Sequence, residues 1–426
     1  MHRTGPRVTA TLLSLPVLAA WALVVVPGAA VPAAAGTADA STSYHVSPGG
    51  SDQADGTSPE TAWRTLERAS AAVLTPGDRL LLRRGAAFTG RLVLAESGQP
   101  GARIRVSTYG VGARPRITGD CVHLEGSFLT LRGVEVHDCT WAGITVRGDD
   151  NRIQRSRATG NVAGITVKSG AERTRIRRNE LVANNRMDTD TPEPHDDWGA
   201  YGIEVKGDHT DIGWNELRDN WASSHDYGTD GAGIEVYGAV GTRIHHNRAS
   251  DNRTFTELGH ARTADTVYAY NAVTSDLPAS EFLVTRGGGS RHGPVLGTVA
   301  RHNTVLLTGR RTEGFWCDGG CGTGVLRLTR NIIVSHGRIG YADGPFASRS
   351  NVYWQGSLET PLGRGDRYAA PGFRDAARLD LRLRRHSVAV DRVRRGPEHR
   401  DVRGRRVARD GDADGRTRAD LGAHER

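Results

Sequence analysis

AGIEVYGAVGTRIHHN, residues 232–247, is one of five stretches of the chain that share a single pattern. The other four are AGITVRGDDNRIQRS (142–156), AGITVKSGAERTRIRRN (163–179), YGIEVKGDHTDIGWN (201–215) and FTELGHARTADTVYAYN (255–271). Each copy has a short strand of alternating apolar residues, a turn, a second short strand and, in most copies, a final asparagine. Short strands that repeat at intervals of roughly twenty or more residues are typical of a parallel β-helix.

Two other repeat folds fit the pattern less well. A β-propeller needs four strands per blade over about 40 residues with a WD-like signature, and leucine-rich repeats need an L-x-x-L-x-L pattern. Neither signature occurs in the sequence. The repeat therefore predicts an all-β solenoid in which stacked coils, about 4.8 Å apart, bury one continuous core of Ile, Val and Leu.

Two kinds of residue mark equivalent positions in the coils. Glycines begin the first strands, at Gly143, Gly164, Gly202 and Gly233. Asparagines end the second strands, at Asn179, Asn215, Asn247, Asn271, Asn303 and Asn331. Asparagines stacked at one turn are expected to form a ladder of side-chain amides along the solenoid.

The chain divides into four predicted regions. Residues 1–40 have a basic start, an apolar run and a small-residue cleavage site, which predicts a secretory signal peptide and a secreted protein. No later segment is apolar enough to span a bilayer. The remaining regions are an N-terminal strand and capping helix (41–95), β-helix coils with insertions at 186–200 and 221–232 (96–360), and a C-terminal coil with a basic tail (361–426).

The predicted cap covers TSPETAWRTLERASAAV, residues 57–73. Thr57 or Ser58 is the expected N-cap, with a proline in the first turn. A solenoid needs such a cap over its open end. The apolar face of this helix is predicted to contain Ala62, Leu66, Ala69 and Val73, which recur at helical spacing.

Charge and cysteine content suit export without identifying a partner. The formal net charge is +8, which can favour acidic partners or serve solubility alone. Four cysteines suit an oxidising compartment. Cys317 and Cys321 could close a tight loop, and Cys121 and Cys139 are one coil apart. A zinc site would require all four to converge, which this spacing disfavours.

The ends of the chain carry a resemblance to a known superfamily. YHVSPGGSDQADGTSPETAWRTLERASAAVLTPGDRLLLRRGAAFTG (44–90) resembles the opening of bacterial right-handed parallel β-helix proteins of the pectin-lyase-like superfamily. RADLGAHER (418–426) resembles an ending common in the same group. The resemblance implies a right-handed parallel β-helix over roughly residues 44–426. It leaves the reaction open, because the fold hosts lyases, hydrolases, epimerases and adhesins.

In the pattern G-I-x-V-x the x positions are predicted to point away from the core. They form two columns: Thr145, Thr166, Glu204, Glu235 and Glu257, then Arg147, Lys168, Lys206 and Tyr237. The second column contains the only two lysines of the chain, Lys168 and Lys206. A lysine can lose its proton on desolvation and act as a base, which arginine hardly can, so Lys206 is a catalytic candidate. Chance retention and simple pairing with Glu204 are the alternatives.

Stacked glutamates at Glu204, Glu235 and Glu257 repel one another and need compensation. A bound cation would supply it, and Ca²⁺ is the cofactor expected in that case. A shared proton would instead make the carboxylates an acid/base pair. Neutralisation by Lys206, Arg262 and solvent is the third alternative.

The long insertions flank the glutamate column, and insertions on a solenoid often form its binding face. Aromatic and carboxylate side chains together suit sugar stacking and hydroxyl recognition. The predicted substrate-binding residues are Lys168, His195, Asp197, Trp198, His225, Tyr227, Asp230 and Tyr237.

A second resemblance covers about fifty residues. Glu257, Arg262, the turn at Asn271 and the segment FLVTRG (282–287) resemble the catalytic coils of the alginate lyase and chondroitinase B family. That resemblance implies a Ca²⁺ ligand at Glu257 and an assisting arginine at Arg286. Arg262 stands where the family has its lysine base. This departure leaves Lys206 or His260 as other candidates for the base.

These features predict an enzyme that cleaves an extracellular, uronic-acid-containing polysaccharide by β-elimination. The chemistry needs charge neutralisation at a carboxylate and a base near C5. One alternative is a glycoside hydrolase that uses two carboxylates of the same sheet face. The other is a carbohydrate-binding protein without catalysis. An acidic polysaccharide is the expected partner of a monomer, with no nucleic acid or membrane partner.

Overall fold

The computed structural model describes residues 41–390, which form a solenoid of parallel strands with three faces. The predicted signal peptide, most of the basic tail and the RADLGAHER ending lie outside the described residues. The first face is a parallel sheet of twelve strands: Ser43–Val46, Arg79–Arg83, Ile104–Tyr109, Leu129–Arg132, Arg152–Gln154, Arg175–Arg177, Asp211–Gly213, Arg243–His245, Val267–Ala269, Thr298–Arg301, Leu326–Thr329 and Ala347–Arg349.

A nineteen-stranded sheet supplies the other two faces. The second face contains Glu135–Cys139, Arg157–Thr159, Glu180–Val182, Glu216–Arg218, Arg248–Ser250, Ala272–Ser275 and Thr304–Leu307. The third face contains Ala142–Val146, Ala163–Val167, Tyr201–Val205, Ala232–Tyr237, Thr254–Gly259, Ala279–Arg286 and Arg311–Asp318. Longer strands contribute to the sheet at its ends, at Ala87–Leu94, Arg116–Leu124, Ile332–Ala342, Val352–Glu359 and Arg367–Tyr368.

The register of the third face follows the G-I-x-V repeat. Ile144, Ile165, Ile203 and Ile234 are partners on successive strands, and all four are fully buried in the core. The intervening positions form the outer column of Thr145, Thr166, Glu204, Glu235 and Glu257, again in register. The predicted right-handed parallel β-helix is therefore confirmed.

The predicted asparagine ladder is present at the turn between the first and second faces. From Asn179 onward, each side-chain amide donates to the Oδ1 atom of the asparagine one coil further on, at 2.9–3.1 Å. The ladder continues to Asn351, whose amide donates to the Asp366 carboxylate at 3.1 Å. A second ladder at the next turn, which the sequence analysis missed, joins Asn161, Asn184, Asn220 and Asn252.

The N-terminal helix is much shorter than predicted. It covers Leu66–Ser70, and Thr65 is its N-cap, accepting a hydrogen bond from the Arg68 N–H. The Asp52 carboxylate binds the backbone N–H groups of Arg64 and Thr65 and holds this segment extended before the helix begins. Leu66 and Ala69 join the core as expected. Val73 is 79% exposed, because the helix has already ended.

Further short elements complete the described structure. Three antiparallel hairpins pair Met187–Thr189 with Trp198–Gly199, Ala222–Ser224 with Gly228–Asp230, and Phe373–Asp375 with Asp380–Leu383. Both predicted cysteine pairs, Cys121–Cys139 and Cys317–Cys321, form disulfides. Among the described residues, no helix has the length and apolarity needed to cross a bilayer.

Candidate active site

A cleft of about 830 Å³ lies on the third face of the solenoid. The two insertions form one wall, and the loop that follows Arg286 contributes Arg291 and His292. Its carboxyl groups are those of Asp196, Asp197, Glu204, Asp230, Glu235, Glu257, Glu281, Glu313 and Asp318. Its cations are Lys206, Arg253, Arg286 and Arg291. The lining is therefore predominantly acidic.

Glu204 is the most enclosed member of the glutamate column, with only 2% of its surface exposed. The Lys206 amine lies 2.5 Å from its Oε1 atom. The Thr166 hydroxyl donates to its Oε2 atom at 2.6 Å, and the Lys168 amine is 3.9 Å from the same oxygen. These contacts supply the compensation that a buried carboxylate requires.

Glu257 has its own cation. The Arg286 guanidinium donates to Glu257 Oε1 and, at 2.8 Å, to the carbonyl oxygen of Leu258. Because Arg286 lies on the next strand of the same face, the sheet positions both groups. Glu257 remains partly accessible from the cleft, with 28% of its side chain exposed. It is therefore an ion-paired carboxylate that a substrate can reach.

Glu235 lies between these two ion pairs and has no such partner. Within the described part of the chain, no side chain donates a hydrogen bond to its carboxyl group. Burial raises the pKa of Glu235 well above its usual value, and the neighbouring charge of Glu257 raises it further. The surroundings of Glu235 therefore favour the protonated, uncharged form of its carboxyl group.

Asp230 reaches the same region from the second insertion, at the end of its hairpin. Burial and the nearby Glu257 carboxylate raise the pKa of Asp230 to about 7, although the Gly231 N–H donates to its Oδ1 atom at 2.7 Å. Asp230 can therefore carry a proton at neutral pH and also release it.

The two insertions are joined by hydrogen bonds around Asp197 and Asp226. Asp197 accepts bonds from the Ser224 hydroxyl at 2.7 Å and from the Asp226 N–H at 2.9 Å. Asp226 accepts the Asp196 N–H at 2.9 Å in return. Arg291 extends the wall by donating to the His195 carbonyl oxygen at 3.1 Å. The insertions thus hold each other in place above the sheet.

Most of the predicted site residues line the cleft, namely Lys206, Arg286, His195, Asp197, Trp198, Tyr227, Asp230, Tyr237, Glu204, Glu235 and Glu257. Four do not: Lys168, His225, His260 and Arg262. The Lys168 amine lies over the Trp141 ring, 4.3 Å from its centroid. The backbone N–H of His225 donates to Asp190.

The structure places Arg262, predicted as a candidate for the base, outside the lining of the cleft. Its guanidinium donates to both carboxylate oxygens of Asp208, at 2.8 and 2.5 Å, outside the cleft lining. His260 accepts the backbone N–H of Arg262 at 3.1 Å, and its ring lies against Tyr237. Neither side chain belongs to the cleft lining, so neither is a candidate base there.

A second polar row of the cleft lies outside the pattern from which the glutamate column was predicted. Thr254, Glu281 and Glu313 are register partners on successive strands of the third face. Arg253 pairs with Glu281 at 2.8 Å. Burial and the Glu281 charge raise the pKa of Glu313. Extending the strand register beyond the G-I-x-V copies would have found this row.

The glutamate column does not fit a preformed Ca²⁺ site. Lys206 and Arg286 already pair with its two outer members, and burial favours the uncharged form of Glu235 between them. Among the described residues, the carboxylates that come close enough to share a cation are those of Asp196, Asp197 and Asp226. Hydrogen bonds within the insertions already explain that cluster. Of the compensations considered for the column, ion pairing and a retained proton fit the observed contacts.

Solved structures share this fold at low sequence identity. Pectate lyase Pel9A aligns with a TM-score of 0.60 and 16% identity over 90% of this chain and 96% of its own. GH136 lacto-N-biosidase from Eubacterium ramulus aligns with a TM-score of 0.52 and 17% identity over 77% and 67%. No protein-family model matches the chain, and no curated protein matches its sequence. The likeness identifies a right-handed parallel β-helix with the pectin-lyase-like fold.

Proposed function

We propose that this protein is a secreted glycoside hydrolase that cleaves an uncharged glycan with a pair of carboxyl groups. The observation that carries the proposal is the contrast between two neighbours. Glu257 is ion-paired with Arg286. Asp230 has a pKa of about 7, which its burial and the charge of Glu257 raise. A pair of carboxyl groups held in different protonation states is what glycoside hydrolysis requires.

In this mechanism Asp230 is the general acid. Its proton passes to the glycosidic oxygen as the C–O bond to the anomeric carbon breaks, and the released alcohol is the leaving group. Glu257 faces the positive charge that develops on the sugar and either bonds to the anomeric carbon or activates a water molecule. Arg286 holds Glu257 in position through its hydrogen bond to the Oε1 atom. If Glu257 is the nucleophile, water hydrolyses the glycosyl ester and its proton passes to Asp230. If Glu257 is the base, it takes the proton of water, and exchange with solvent returns one proton to Asp230 and removes one from Glu257.

The charge of the cleft favours an uncharged substrate. Without the three carboxyl groups whose pKa is raised, namely Asp230, Glu235 and Glu313, six carboxyl groups still face four cationic side chains in the lining, so a polyuronate would meet an excess of like charge. Trp198, Tyr237 and Trp316 supply flat apolar surfaces in the same cleft, and such rings suit the faces of sugars.

β-Elimination on a uronic-acid polymer is the second candidate, because Lys206 and Arg286 both line the cleft. It requires Lys206 to accept the C5 proton, although the Lys206 amine lies 2.5 Å from Glu204 and is committed to that contact. The acidic lining also opposes the approach of a uronate. For these two reasons, hydrolysis is favoured over elimination.

One screen separates the candidates. Purified protein is incubated with panels of neutral and acidic polysaccharides, and both new reducing ends and ultraviolet absorbance are measured. Hydrolysis of a neutral glycan gives reducing ends without absorbance, which is the expected result. A lyase product absorbs because it gains a C=C bond conjugated to a carboxyl group. Absorbance on a polyuronate would overturn the proposal, and binding without product would identify a non-catalytic protein.

A further inference from the structure

A row of arginines runs along the outer side of the first face, away from the glutamate column. Register partners on the successive strands are Arg79, Arg105, Thr130, Arg152, Arg175, Asp211 and Arg243. The residues beside them, such as Leu80, Val106 and Ile176, point inward and are fully buried or nearly so. Neighbouring strands are about 4.8 Å apart, so the row presents guanidinium groups at short, regular intervals.

The charges of this row are mostly uncompensated. Within residues 41–390, Arg105, Arg152 and Arg175 have no acidic partner, and the one carboxylate in the row, Asp211, pairs with Arg177 at 2.8 Å. The Nε atom of Arg152 is buried without a hydrogen-bond partner. Burial lowers the pKa of Arg152, and the nearby Arg175 and Arg177 lower it further. These cations repel one another, and the nearby charge of Asp150 offsets this for Arg152 only in part.

A shallow pocket of about 380 Å³ adjoins the row. Arg84, Arg114, Arg132 and Arg155 line it together with two hydroxyl side chains. Arg132 ends the same strand that contributes Thr130 to the row, so pocket and row form one continuous surface. Arg114 pairs with Glu180 at 2.7 Å, whereas Arg132 and Arg155 have no acidic partner among the described residues.

We propose that this surface, the row together with the pocket, binds an anionic polysaccharide through its carboxylate or sulfate groups. Charge complementarity carries the proposal, because guanidinium groups bind planar or tetrahedral anions through paired hydrogen bonds. A polymer with a charge on each sugar can engage several rungs of the row at once, which multiplies weak contacts. No aromatic side chain lies in the row, so the stacking platform typical of single-stranded nucleic-acid sites is missing from it.

This surface and the cleft have opposite charge and lie on different faces of the solenoid. The surface therefore anchors the protein to an acidic matrix while the cleft acts on a different glycan. The inference does not depend on the proposed hydrolase activity, because binding can be measured without turnover.

The test is binding of the purified protein to immobilised heparin and to polygalacturonate at low and high salt. The informative variant changes Arg105, Arg152 and Arg175 to Gln. A matched control changes Arg364, Arg374 and Arg385 to Gln, which removes the same charge from exposed positions elsewhere. We expect the first triple variant to bind about tenfold more weakly, because each exposed charge pair adds a few-fold in affinity. The control should bind like the parent.

Three outcomes would overturn the proposal. The first is that neither polymer binds. The second is that both triple variants lose affinity equally, which would make net charge alone responsible. The third is that single-stranded RNA binds as tightly as the glycans and with the same sensitivity to the three arginines. Thermal unfolding of each variant verifies the fold. The double variant of Arg105 and Arg175, both exposed, replaces the triple if the half-buried Arg152 proves necessary for folding.

Discussion

The amine of Lys206 lies 2.5 Å from the Oε1 atom of Glu204, two residues earlier on the same strand. Lys206 is one of the two lysines of the chain, and Glu204 is the most buried of the carboxylates that line the cleft. A lysine that serves as a counter-ion and a lysine that serves as a base respond differently to substitution, which makes the pair directly testable.

Lys206→Arg should leave turnover close to that of the parent, because arginine can keep the charge next to Glu204. Lys206→Met should lower the free energy of unfolding by about 1–3 kcal/mol, since it weakens the compensation of a buried carboxylate. Chemical denaturation and steady-state kinetics measure the two effects. Loss of activity in a correctly folded Lys206→Arg protein would restore Lys206 as the base.

Asp230 should set the alkaline limit of activity. A general acid works only while protonated, so kcat/KM should fall as pH rises through about 7, the pKa of Asp230. Asp230→Asn should abolish most of the activity. The pH profile of the residual activity should no longer fall at alkaline pH. Asp219→Asn, in the turn that follows the second-face strand Glu216–Arg218, is the control and should keep the parental profile. A parental alkaline limb that persists in Asp230→Asn would exclude Asp230 as the acid.

The same carboxyl group predicts a dependence of stability on pH. The pKa of Asp230 is raised on folding from its ordinary 3.8 to about 7, so the folded state binds this proton more tightly than the unfolded state. Its contribution to stability is therefore full below about pH 4, declines between pH 4 and 7, and is absent above. Asp230→Asn should stabilise the protein relative to the parent at pH 8 more than at pH 5. Equal effects at both pH values in urea unfolding would contradict the raised pKa.

Replacing Glu257 should remove the chemistry while leaving binding. Glu257→Gln should lower kcat by about 10³-fold, because the neutral amide neither attacks the anomeric carbon nor activates water. Glu216→Gln, at an exposed position paired with Arg218, is the matched control and should be fully active. Azide added to Glu257→Gly tests the role further. A glycosyl azide of inverted configuration shows that azide attacks the anomeric carbon in place of Glu257 or of the water that it activates. The configuration of the parent's own product then separates the two roles, because a nucleophile gives retention and a base gives inversion. No rescue combined with an active Glu257→Gln would remove Glu257 from the mechanism.

The two disulfides should contribute unequally to stability. Cys121–Cys139 closes a loop of 18 residues, and Cys317–Cys321 a loop of only 4. Loop-closure entropy assigns about 3 kcal/mol to the first and about 2 kcal/mol to the second. Paired Cys→Ser variants, compared by denaturant unfolding, should show the larger loss for the longer loop. The reverse order would mean that packing of the cysteines outweighs the chain entropy.

The coil register could be predicted because it is local. G-I-x-V alternation sets which side chains face the core, so the outer glutamate column followed from five short sequences. The asparagine positions followed in the same way, and the asparagines of the second ladder, beginning at Asn161, recur from coil to coil and carry the same kind of signal.

The partners of the charged groups could not be predicted, because they lie far apart in sequence. Arg262 pairs with Asp208, 54 residues earlier, and this contact takes it out of the cleft. The short helix has a similar cause, since Asp52 holds residues 12 and 13 positions later in an extended form. The pKa of Asp230 depends on how a hairpin folds over the sheet, which no periodicity encodes.

The side-chain hydrogen bonds of the first asparagine ladder all run in one direction, and the last of them ends at a carboxylate. Every amide from Asn179 to Asn351 donates toward the C-terminal end of the stack, and Asp366 receives the last of these bonds. A carboxylate accepts but does not donate, so the relay cannot pass to another layer. Asp366 therefore ends this series of amide hydrogen bonds, because it accepts the last one and offers no side-chain donor to a further layer.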